Sequence, residues 1–145
     1  MYEFQGVFTR QSCMSLRLDC RKYTLRDLRP SYPFCGIRIH PRFDEAGDDV
    51  IRLEDAALEI IEGGLASGLA LSYFCWGGEL EHFAGFEIDN FMIIAASRFD
   101  SGFESSEDEL LAFFVSKMSE YGLPPEDSGF FFPFVSGFWA ELGRE

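Results

Sequence analysis

The sequence predicts an α+β domain: a mostly antiparallel sheet of about five strands with two main helices packed on one face. Three observations carry that expectation. Period-two alternation recurs in short segments, as in CGIRI (35–39). Two stretches, LEDAALEIIE and ELLAFFVSKMSEY, place apolar residues at helical spacing. Between them lies GLALSYFCWGGELEHFAGFEIDNFMIIAASRF (68–99), two apolar runs flanking an acidic alternating segment, which reads as the middle of a sheet.

Residues 2–10 (YEFQGVFTR) partly alternate and read as a first strand, with Gly6 as a bulge. From Cys13 to Tyr23, Met14, Leu16 and Leu18 fall on one face and Ser15, Arg17 and Asp19 on the other, which is strand periodicity. TLRDLRPSYP reads as a helical turn or irregular loop, because Pro30 and Pro33 stop any longer element. CGIRIHPRF reads as a strand with Ile37 and Ile39 inward, Arg38 outward and Pro41 as its end; DEAGDD is a polar turn.

Residues 53–65 predict the clearest helix of the first half. Leu53, Ala57, Ile60, Ile61 and Leu65 recur at near 3.6 spacing, and Glu54 and Asp55 suit the positive N-terminal end. Gly63 and Gly64 weaken or end it. ALSYFCWG (70–77) predicts a buried strand and Gly77-Gly78 a tight turn. In ELEHFAGFEID, Gly85 is expected to centre a turn. Phe83 would then face Glu87, Glu81 would face Asp89, and Glu79, Glu81, Glu87 and Asp89 would share one face. Opposed carboxylates destabilise a strand pair by up to about 1 kcal/mol, which a face built to receive Arg or Lys would justify.

FMIIAASRF (91–99) predicts a central apolar strand. A helix over 106–121 follows, with Ser105 or Ser106 as N-cap, Glu107, Asp108 and Glu109 in its first turn, and Gly122 with Pro124 as its stop. Leu110, Phe113, Phe114, Lys117, Met118 and Tyr121 trace its face. The aromatic cluster Phe130–Trp139 is read as core, with an interface as the alternative.

A chain of 145 residues fits a single domain over 1–145, enough to bury about 68–70% of its unfolded surface. Hydrophobic content of 47% and aromatic content of 17% argue against disorder despite a net charge of −13. No run reaches the ~18 apolar residues of a membrane span. The opening MYEFQGVFTRQ lacks the basic-then-apolar layout of a secretory signal, so the expectation is a soluble cytoplasmic protein. Cys13, Cys20, Cys35 and Cys75 show no CxxC spacing, and His40 and His82 stand alone, so no structural zinc site or cofactor is expected. Buried reduced thiols are the reading, although Cys13 and Cys20 are close enough in sequence to meet in a hairpin.

The charge is uneven. Residues 1–52 hold nine Arg/Lys against seven Asp/Glu, a net of +2; residues 53–145 hold three against eighteen, a net of −15. Such a field repels nucleic acid and anionic membranes and steers a cationic partner. Arg17, Arg21, Lys22, Arg26, Arg29, Arg38 and Arg42 make the first third basic, but no Gly-rich phosphate loop accompanies them. Pairing with the acidic remainder of the chain is the preferred reading.

Three chemistries compete. Glu79, Glu81, Glu87 and Asp89 suggest a small metal-assisted hydrolase, weakened by their placement on an outward face. Cys75 with His82 would serve nucleophilic catalysis, but an apolar run raises a thiol's pKa, and GLASG does not match the GxSxG elbow at Ser67. Binding remains. A small, strongly acidic domain resembles, in charge and size, the inhibitors that neutralise basic enzymes, such as immunity proteins against bacterial toxins and nucleic-acid mimics. The expectation is a non-enzymatic acidic protein that occludes the cationic active site of a basic partner, such as a cognate toxin or nuclease. Its expected contacts are Glu79, Glu81, Glu87 and Asp89 with Asp100, Glu104, Glu107 and Asp108, extended by Glu126 and Asp127. A self-associating structural domain is a further reading.

Overall fold

A computed structural model describes residues 2–27, 33–40, 52–76, 79–100 and 116–122. Six strands form one sheet: β1 (Tyr2–Thr9), β2 (Tyr23–Asp27), β3 (Cys35–Ile39), β4 (Gly68–Trp76), β5 (Glu79–Asp89) and β6 (Met92–Asp100). Their order is β2-β3-β1-β4-β5-β6, and every pairing is antiparallel. The helix α1 (Leu53–Glu62) joins the β3 half to β4. The class is α+β, with six strands among the described residues rather than five.

The register explains the core. Leu25, Ile37, Val7, Ala70 and Phe86 stand in one row across five strands. Paired residues share a face, so this row and its neighbours Tyr23, Ile39 and Ile88 present one apolar surface. Ala56, Ala57 and Ile60 of α1 pack on it, with Leu16 and Leu65 closing its edge. Burial of such side chains is worth about 1.5–3 kcal/mol each. The next row, Gly36, Phe8, Leu69 and Glu87, belongs to the other face. There Phe8 meets Phe34 edge-on at 5.9 Å, and Lys117 of the helical turn 116–120 reaches Glu87. The two helices therefore lie on opposite faces, not on one. Met118, buried beside Lys117, shows that this turn is packed and not merely tethered.

Several sequence expectations change. Gly6 pairs in unbroken register with Arg38 and Leu71, so β1 has no bulge there. The alternation at 13–23 is not a strand. Ser12 caps a short 3-10 turn at Cys13–Ser15, Met14 is exposed, and the Arg17 N–H donates to the Gly63 carbonyl at 2.8 Å. The strand begins instead at Tyr23, the last residue of the 13–23 segment, and runs to Asp27 through the first residues of TLRDLRPSYP, expected to be a loop or helical turn. FMIIAASRF forms an edge strand among the described residues, because β6 pairs only with β5.

The chain between α1 and β4 is held by Gln11. Its amide donates to the Gly64 carbonyl and accepts the Ala66 N–H, at 2.7 and 2.8 Å. Beside it the buried Thr9 hydroxyl donates to the Ser67 carbonyl. The Gly77-Gly78 turn, the DEAGDD turn, residues 101–115 and the Phe130–Trp139 cluster lie outside the described residues.

Candidate functional site

The acidic segment does not fold as a hairpin around Gly85. Residues 79–89 form one strand in which Gly85 pairs with Leu71 and Phe99. The nine residues of β4 draw the whole segment into one ladder, and the reversal falls at Asn90-Phe91. There Asp89 pairs with Met92, and both turn residues adopt positive φ, 52° and 62°. Glu81 is thus eight residues along the strand from Asp89, roughly 26 Å away, and does not face it. A register slip at Phe74/Cys75 further interrupts the count between Glu79 and Glu87.

Glu87 is engaged. Its carboxylate accepts from Lys117 Nζ at 2.8 Å, and its own N–H donates to the Ser97 hydroxyl. Hydrogen bonding to Glu87 raises the Lys117 ammonium's pKa above its usual value. Asp89 is exposed at the end of β5. The side chains of Glu79, Glu81 and Asp100 are outside the described set, as are Glu104, Glu107, Asp108, Glu126 and Asp127 altogether. Of the eight expected contacts, Asp89 is thus the one seen to stand open to solvent.

The acidic surface that the described residues do assemble is the outward side of α1. Glu54, Asp55, Leu58 and Glu62 are exposed along it; Leu58 follows Asp55 by three residues and Glu54 by four, and Glu62 follows Leu58 by four, spacings that keep neighbours on one helix face. Leu58 is 52% exposed among these carboxylates. Glu54 takes a short hydrogen bond from Arg98, which holds its carboxyl below the usual range; the guanidinium also lies 5.3 Å from the Phe86 ring centroid. Glu59, turned toward the sheet, accepts from the Tyr23 hydroxyl at 2.7 Å and pairs with Lys22 at 3.5 Å. Lys22–Glu59 is the kind of basic-to-acidic pairing expected of the first third. The helical pattern already held the signal for this face: Leu58 falls off the apolar stripe and between acidic positions.

A second exposed apolar point is the β5–β6 turn. Phe91 and Met92 are 54% and 62% exposed, and the Phe91 N–H donates to the Ala66 carbonyl at 3.0 Å, tying the tip to the chain after α1.

Among the described residues no group of three or more His, Cys, Asp or Glu is arranged to hold a metal ion. His40 bonds the Thr24 hydroxyl through Nε2 and the Arg21 carbonyl through Nδ1. The backbone register pairs His82 with Phe74 and Cys75 with Leu80. Cys13, Cys20 and Cys35 are thiols, so Cys13 and Cys20 form no bridge, and the buried Cys35 donates weakly to Asp27 at 3.8 Å. No helix among the described residues is long and apolar enough to cross a membrane. No protein-family model matches this chain, and no curated protein or solved structure matches it.

Proposed function

We propose that this protein is a non-enzymatic acidic binding protein that inhibits a basic partner protein by occluding its cationic active site, in the manner of an immunity protein, and that it works in the cytoplasm. The observation that carries the reading is the outward face of α1. Asp55 and Glu62, neither of which has an ion-pair partner among the described residues, flank an exposed Leu58 there. A central apolar side chain ringed by charge is the pattern of an interface anchor within a polar rim.

The net of −15 over residues 53–145 supplies the steering field, and Asp89 extends it. Glu79, Glu81, Glu87, Asp100, Glu104, Glu107 and Asp108 complete the proposed contact set, with Glu87 free to contribute only if Lys117 releases it. The basic partner docks on this acidic surface, and the anchor slows its departure.

The test is capture of a basic protein at low salt, followed by association kinetics across ionic strength. The association rate is expected to fall steeply with salt. Asp55→Lys with Glu62→Lys is expected to slow association about tenfold or more, while Leu58→Ser raises the dissociation rate. An association rate indifferent to salt and to these reversals would overturn the reading.

A further inference from the structure

The sheet face opposite α1 carries two arginines that meet no carboxylate among the described residues. Thr24 pairs with Arg38, and Arg26 with Gly36, so Arg26 and Arg38 are diagonal neighbours on the same face of the β2–β3 pair. Diagonal positions are roughly 7–8 Å apart, within reach of two long side chains converging on one group. Gly36 stands opposite Arg26, and Gly6 stands opposite Arg38 on the next strand. Arginines and glycines therefore alternate across the three strands, with Thr24 opposite Arg38 on β2, and both glycines are buried.

Both arginines are partly buried, and among the described residues neither guanidinium has an ion-pair or hydrogen-bond partner. The Nε–H of Arg26 is wholly shielded from solvent and has no acceptor. A buried charged donor left unpaired is an unfavourable arrangement, and a want of carboxylates does not explain it, since the chain has 25 acidic and 12 basic residues. The polar neighbours are otherwise satisfied: the Thr24 hydroxyl is taken by His40.

We propose that Arg26 and Arg38 form a binding site for the phosphate group of a small soluble molecule. Two guanidinium forks match a tetrahedral dianion, which accepts from both at once, better than a single planar carboxylate. The negative charge elsewhere on the molecule does not forbid this, because interactions beyond about 8 Å are largely screened at physiological salt. The site is independent of the acidic face of α1, which packs on the other side of the sheet.

The test is a titration of the arginine side-chain Nε–Hε signals with inorganic phosphate, pyrophosphate and acetate at constant ionic strength. Phosphate and pyrophosphate are expected to move the Arg26 signal to saturation with a midpoint of about 1–10 mM. The exposed Arg17 signal is expected to stay in place. Arg38→Gln is expected to weaken the midpoint about tenfold, and Arg38→Lys, which keeps the charge but loses the fork, to weaken it less. The proposal is overturned if the Arg26 signal does not respond to phosphate, moves in step with Arg17, responds equally to acetate, or keeps its midpoint in both Arg38 variants.

Discussion

Lys117 and Glu87 meet at 2.8 Å across thirty residues of sequence and fasten the helical turn 116–120 to the sheet face that α1 does not cover. Both side chains are mostly shielded, 23% and 31% exposed. Arg10 secures the same turn from its other end, donating to the carbonyls of Glu120 and Tyr121. Lys117→Met keeps the aliphatic stem and leaves the Glu87 carboxylate without this partner. It is expected to cost about 1 kcal/mol in denaturant unfolding, with Glu87→Gln in the same chain recovering part of the loss. An unchanged midpoint for Lys117→Met would show that water replaces the pair at no cost.

The same contact makes stability fall at alkaline pH. Tyr121 is pushed up to about 12 from an ordinary 10.0, chiefly by burial and then by the charges of Glu87 and Glu120. Lys117 is raised too, chiefly by its hydrogen bond to Glu87. Both groups hold their protons more tightly folded than unfolded. Their contributions are therefore complete below the unfolded values near pH 10 and are lost as pH rises through the folded ones. The expected result is a melting temperature that declines between about pH 10 and 12. Tyr121→Phe should remove one step near pH 12 from the ultraviolet tyrosine titration; a titration with no step lost there would contradict the assignment.

Phe91 is a bulky residue at φ 62°, in a turn where glycine is the natural occupant. A left-handed conformation costs an L-residue roughly 1–2 kcal/mol. With 54% of Phe91 exposed, the burial lost on truncation is limited. Phe91→Gly is accordingly expected to raise stability by about 1 kcal/mol, or about 3 °C in melting temperature. A lower melting temperature would mean that the ring packs more strongly than its exposure indicates.

Elements whose sides are set by local pattern were legible in the sequence. Ile37 and Ile39 alternate with Arg38 and lie inward in β3 as read. The 3.6 spacing of Leu53, Ala57 and Ile60 predicts α1, with Gly63 at its end. What depends on distant partners was not legible. Gly85 carries a turn signal, but pairing with β4 outweighs it, and Asn90-Phe91 hides a positive-φ turn behind a residue that usually avoids one. Tyr23 and Leu25 do alternate with Thr24 and Arg26, yet five residues before Pro30 give too short a period to stand out. The acidic residues could be counted, but not which cation each would meet: Glu87 finds Lys117, Glu54 finds Arg98 and Glu59 finds Lys22, while Asp55 and Glu62 face outward.

Leu58 and Ile60 are two residues apart on α1 and predict opposite outcomes. Ile60 is fully buried against the sheet, whereas Leu58 is 52% exposed. Ile60→Ala is expected to cost about 2–5 kcal/mol, and Leu58→Ser to stay within about 0.5 kcal/mol. Thermal unfolding of the two variants checks this. A large loss for Leu58→Ser would place Leu58 in a packed contact and remove it as a free interface anchor.

Ser97 closes an irregularity in the outer strand that would otherwise leave backbone groups unpaired. The β5–β6 ladder runs from Glu87 with Ile94 to Gly85 with Phe99, so residues 95–98 of β6 stand against Phe86 alone. The Ser97 hydroxyl fills the gap: it accepts the Glu87 N–H and donates to the Ile94 carbonyl, each at 2.8 Å. Ser97→Ala removes both bonds. The expected cost is about 1–2 kcal/mol, with faster hydrogen exchange at the Glu87 amide than at Ile88. Because Glu87 also holds Lys117, the loosened strand should weaken the 116–120 contact as well, so Ser97→Ala and Lys117→Met combined should cost less than the two apart. Strict additivity would show that the irregularity and the ion pair are independent.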